Sequence, residues 1–176
     1  MNDSLAWSDD VPTLPTARIW TPGPGISWFC ALGKWHALWV HWVRKRTLPC
    51  QKEQCPKWRH NQPGHWTAYL PGAIPIHSLD GDRKVVGFRP VILPLNPEQA
   101  DQVRKGFGTF PGPLLELARI KNEKTFLVQR IITGKPLENL PPCPSVLATL
   151  YRVWGIVPDF DDESEKPAPD GPDAGS

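Results

Sequence analysis

No stretch of this 176-residue chain comes near the roughly 18 to 20 consecutive apolar residues that a membrane-spanning helix needs. The opening MNDSLAWSDD also lacks the basic start and apolar run of a secretory leader. A cytoplasmic protein with no membrane partner is the expectation. Acids are scarce over most of the length. Residues 18 to 158 hold 8 Asp and Glu against 19 Lys and Arg, so this body is strongly basic although the formal net charge is only +2. The balance is restored at the ends, where residues 1 to 17 carry three acids and no base and residues 159 to 176 carry seven acids and one lysine. A body of that sign is drawn to polyanions. Internal repeats are absent, and residues 35 to 66 contain neither HExxH nor an H-x-E…PCxxC deaminase pattern.

What is abundant is proline and glycine, 22 and 14 residues. They break helices and suit short strands joined by turns, which argues against a helical bundle. Residues 1 to 16 form an acidic arm without apolar periodicity. Strand character follows at Arg18 to Thr21 and at Ile26 to Leu32. A plausible Gly33-Lys34 turn leads into Trp35 to Val43, and the two runs look like a hairpin. A segment from about 44 to 65 then has no periodicity, and a loop of that length in a compact domain needs an internal organiser. Strands resume at Trp66 to Leu70 and Lys84 to Leu95, the second being an edge, bulged or broken strand because of Pro90 and Pro94. Asn96-Pro97-Glu98-Gln99 predicts a capped helix that runs to about Lys105. A hairpin around Lys121 to Lys124 and a closing helix over Ser145 to Trp154 complete the body. Residues 159 to 176, acidic and rich in Pro and Gly, form a disordered tail. The order predicts one mainly β domain over 17 to 158 with one or two short helices. A single helix between the early strands and a late hairpin matches a β-barrel of OB-fold-like plan, with the 44 to 65 segment inserted in its first half.

That insertion and its flanks hold the chemistry. Residues 35 to 66 contain five of the nine tryptophans and four of the five histidines. In a reducing compartment, closely spaced cysteines point first to metal. Cys50 and Cys55 have four residues between them, as do Cys55 and His60. Zinc takes four such ligands in a tetrahedron. The remaining position is open to His41, His36 or His65, and with His41 the set is His41, Cys50, Cys55 and His60. The competing reading is two reduced cysteines and several loop histidines without metal. A structural zinc is favoured over a catalytic one, because Glu53 is the only carboxylate in the loop. Cys30 reads as a buried small hydrophobe and Cys143 as too distant to be a ligand.

Seven bases and one acid lie between residues 34 and 59. Lys34, Arg44, Lys45, Arg46, Lys52, Lys57 and Arg59 supply charge beside Trp42, Trp58 and Trp66. Single-strand binders combine such charge with aromatic plates on which bases stack. Some of the tryptophans must be core, since alternation along 35 to 43 puts Trp35, Trp39 and His41 on one face and Trp42 on the other.

A basic aromatic OB-type body, a metal-binding insertion and an acidic tail together resemble the phage-type single-stranded DNA-binding proteins with a zinc-containing OB-fold. The resemblance covers about residues 18 to 176 and is one of architecture. In that family the ligands are one His and three Cys ending in CxxC, around a structural zinc. Here His41, Cys50 and Cys55 follow the order, and Lys57-Trp58-Arg59-His60 stands where a third cysteine is expected, with His60 as its substitute. The resemblance implies a non-enzymatic protein that binds single-stranded nucleic acid, DNA before RNA. Its acidic tail would tune binding or recruit a protein partner. Two other classes fit the residues: a protein-interaction or regulatory module, such as one of a phage or mobile element, and a metal-dependent nuclease or hydrolase drawing carboxylates from Asp80, Asp82 or Glu116.

Overall fold

The computed structural model describes residues 17–43, 46–50, 55, 64–79, 84–105, 112–132 and 137–155. The arm at 1–16, the tail at 159–176 and most of the inserted segment lie outside them. The described part is mainly β. Its strands are β1 (Arg18–Ile19), β2 (Gly25–Ala31), β3 (His36–Val43), β4 (Arg46–Pro49), β5 (His65–His77), β6 (Val85–Leu95), β7 (Leu114–Arg119) and β8 (Leu127–Ile132). Helix α1 (Pro97–Arg104) lies between β6 and β7, and helix α2 (Val146–Trp154) follows β8.

All eight strands belong to one mixed sheet, ordered β1-β6-β5-β2-β7-β8, with β3 on β5 and β4 on β3. The long strand β5 is its axis. Along one edge β5 pairs with β6 from Ala68↔Leu95 to His77↔Val85. Its other edge is shared end to end by β3, from Val40↔His65 to His36↔Tyr69, and by β2 at Cys30↔Ala73 and Ala31↔Gly72. The expected β2–β3 hairpin is therefore replaced by a bend. Residues 32 to 35 carry the chain forward along the same partner while the register slips by two residues. Gly33-Lys34 marks that bend and no reversal.

The chain makes room for this crossing at Gly72. A Cβ there would lie 2.2 Å from Phe29 Cζ and 2.4 Å from the Cys30 carbonyl, so only glycine lets β2 pack against β5 at this point. β6 carries two prolines because it is almost an edge strand; β1 pairs with it only at Val91 and Ile92. The β7–β8 hairpin docks back on β2, from Gly25↔Arg119 to Cys30↔Leu114. Its turn is closed by Asn122 at φ 77° and by Glu123 N–H donating to Ile120 O.

Both faces of the sheet are covered. On one, Phe29, Ala31, Ala37, Leu70, Leu93, Leu95, Leu115 and Leu117 form the main core with Ala100 and Val103 of α1. The capping box foreseen at α1 is present: the Asn96 side chain accepts from Gln99 N–H, and the Gln99 side chain accepts from Asn96 N–H. On the other face Leu38, Val40, Tyr69 and Ile92 pack against Val146, Leu150 and Trp154 of α2. Ser145 caps α2, Gly155 ends it in the left-handed conformation, and Arg152 donates to Ala17 O. Trp154 meets Tyr69 edge-on at 5.7 Å between ring centroids. Each apolar side chain fully buried this way contributes about 1.5–3 kcal/mol. A third, smaller cluster holds Cys30, Leu32 and Ala73. No helix among the described residues is long and apolar enough to cross a membrane.

Candidate functional site

The β3–β4 hairpin positions two of the three metal-type ligands that the sequence singles out. His41 is opposite Leu48, and Trp39 is opposite the residue after Pro49, because Cys50 N–H donates to Trp39 O at 2.7 Å. Cys50 is thus the diagonal neighbour of His41 on one face, a spacing that side chains bridge. On the other flank of His41 sits Gly64, just before β5, where a Cβ would be 3.6 Å from the imidazole Cε1 and 3.3 Å from Val40 O. Sequence reasoning passed over this glycine, whose signal is only its place before a strand.

Cys55 comes in from the inserted segment. The ligand atoms of His41, Cys50 and Cys55 lie within 4.8 Å of one another, and all three residues are buried. In a zinc tetrahedron ligand atoms stand about 3.3–3.8 Å apart, a small adjustment from this arrangement. Two soft thiols and one imidazole, held together away from water, suit a borderline-soft divalent ion.

Of the three histidines the sequence leaves open, His41 is the one brought to the two cysteines. His36 and His65 are exposed, and β-alternation directs them to the face opposite His41. His60 lies outside the described residues. Cys30 and Cys143 are not in the group; burial raises both thiol pKa values, which keeps these thiols protonated.

Among the described residues, the two tryptophans expected to touch nucleic acid, Trp42 and Trp66, are on opposite faces. Trp66 is directly opposite Trp39, on the side of His41, and is half-buried against the main core. Trp42 is 66% exposed and projects to the other side, beyond the end of α2's cover. Lys34 is exposed at the β2–β3 bend, and Arg46 is paired with Val43 in the β3–β4 ladder. Arg44, Lys45, Lys52, Lys57, Trp58 and Arg59 lie outside the described residues. Of the bases in the second hairpin, Arg130 pairs with Glu116 at 2.9 Å and lies over Trp28, and Arg119 donates to Pro22 O and Glu123 O. These two guanidiniums brace the fold.

Around Trp66, where the edge of β5 is not yet paired with β6, the sheet opens into a groove of about 460 Å³ between the start of β5, the entry to α1 and the turn before β8. Trp66, Thr67, Asn96, Lys124 and Thr125 are among its walls. These residues come from segments far apart in the chain, so no local pattern announces the groove. Comparison with protein-family profiles, curated proteins and solved structures finds no match to this chain.

Proposed function

We propose that this protein binds single-stranded nucleic acid, DNA in the first instance, without catalysis, and that one structural zinc ion folds its basic insertion. The observation that carries the reading is the convergence of His41, Cys50 and Cys55 at the root of a segment holding most of the bases between residues 34 and 59. A metal there supplies the organising energy that the segment's few apolar residues cannot. His60 is the natural fourth ligand. With all four positions taken by protein, zinc stabilises structure and leaves no open site for a substrate.

The strand order supports an OB-like body. The bent β2–β3 strand, β5 and β6 form a meander, a helix follows, and the β7–β8 hairpin returns to pair with β2. Between β6 and β8 stands α1, which contacts both. The insertion then occupies the loop between the first and second strands of the plan, one of the loops through which such bodies hold oligonucleotides. The acidic tail at 159–176 competes with the strand for the basic surface.

The test is a titration of intrinsic tryptophan fluorescence with single-stranded and duplex oligonucleotides over a range of salt, with zinc measured on the same sample. Quenching by single strands that weakens steeply with salt, and about one zinc per chain, is expected. Absence of binding at low salt sinks the reading. A second reading, a protein-interaction module, draws on α2, whose outward residues Leu147, Tyr151 and Val153 are each roughly half exposed; it predicts salt-insensitive capture of a protein and none of nucleic acid.

A further inference from the structure

In the OB plan the strand lies across the outer face of the second and third strands. Here that face belongs to β5 and β6, and its centre is already occupied. Tyr69 and Ile92 are buried in the cluster that Leu150 and Trp154 of α2 close, and Trp154 meets Tyr69 edge-on. A nucleic-acid chain laid there would have to displace a packed helix. The groove beyond Trp66 lies at the edge of β5 that is left open before its pairing with β6 begins at Ala68↔Leu95, and no residue of α2 lines it.

Its construction suits one particular guest. Trp66 offers an aromatic surface held in place by the core behind it. Thr125 adds a hydroxyl, which both donates and accepts. Lys124 stands exposed at the rim, and among the described residues no carboxylate lines the groove. The far wall is fixed before any guest arrives. Gln99 accepts from Asn96 N–H at 2.9 Å and donates to Phe126 O at 2.6 Å, which ties the start of α1 to the strand entering β8. A volume of about 460 Å³ falls within the range of small-molecule sites. The cross-strand neighbour of Trp66 is Trp39, and Trp39 is adjacent to Cys50 and His41, so two tryptophans separate the groove from the root of the basic insertion.

We propose that this groove takes one unstacked base of a single strand, stacked on Trp66 with a neighbouring phosphate at Lys124. The proposal rests on the single-strand reading and assigns its base subsite to the open edge of β5, clear of α2.

The experiment uses the full chain and fluorescence anisotropy with a labelled oligothymidylate, with thermal melts on every variant. Trp66→Ala is expected to weaken binding roughly five- to hundredfold, the loss of one stacked base, and Trp66→Phe to restore most of it. Lys124→Gln should reduce the slope of log affinity against log salt by about one. Thr125→Leu, at an exposed position, narrows the groove without touching the core and should also weaken binding. If the unaltered chain binds the strand and Trp66→Ala and Thr125→Leu bind equally well, the groove is not the subsite, while the single-strand reading stands. Binding of thymidine monophosphate that is lost in both variants, without binding of the strand, keeps the groove and overturns the strand reading. Binding of neither removes both.

Discussion

Tyr69 illustrates how much one side chain can reveal. Burial between β5 and α2 pushes its phenol pKa up to about 12, against a smaller opposing effect of the Thr47 hydroxyl. Below pH 10 the folded and unfolded chains are both protonated at this group, and its contribution is fully present. Between pH 10 and about 12 the unfolded chain ionises first, so stability falls by an amount on the order of 2 kcal/mol. Denaturant melts across that window should show the loss in the parent and a flatter curve in Tyr69→Phe. Cys55→Ser carries a different expectation. Zinc content should fall from about one per chain towards zero, and the melting temperature should drop with it; equal metal content in the variant would remove Cys55 from the ligand set. The cysteines and His41 were legible because ligand spacing is a local property. Choosing His41 over His36 and His65 was a matter of strand parity and of which strand stands opposite, and the second of these is not written locally.

Among the elements, α1 was the most readable. Asn96, Pro97 and Gln99 each have one well-defined task at a helix start, and all three perform it. Asn96→Ala should cost about 1 kcal/mol in urea denaturation. The β2–β3 hairpin was misread for an instructive reason. Two apolar runs separated by Gly-Lys look alike whether the chain reverses or bends, and the decision belongs to β5, which is long enough to accept both runs along one edge. Gly72 is where that decision is enforced. Gly72→Ala should destabilise by about 3 kcal/mol, since Phe29 and the β2 backbone must both move; a loss under about 1 kcal/mol would mean the β2–β5 crossing is looser than its contacts state.

For the molecule as a whole, charge segregation governs behaviour. On the single-strand reading proposed above, a chain ending at residue 158, which loses seven acids and one lysine, should bind single strands more tightly, on the order of tenfold at low salt, with the difference fading as salt rises. Affinities of the full and shortened chains measured at two ionic strengths decide this. Composition announced a mainly β protein, because prolines and glycines at this density leave few other options. It could not announce that α2 covers the outer face of β5 and β6. That cover depends on Tyr69, Ile92 and Trp154, three apolar residues whose partners are set by the sheet and by no motif.

The pairing of β2 with β7 also constrains how the chain acquires its fold. Gly25 meets Arg119, so most of the described chain separates the two halves of one ladder. As the polypeptide leaves the ribosome, β2 must wait for Leu114–Arg119, with one edge unsatisfied, while the meander beside it has already closed. The arrival of the late hairpin is then the expected slow step of folding, and a chain arrested before it would present a ready edge for pairing with its own copies.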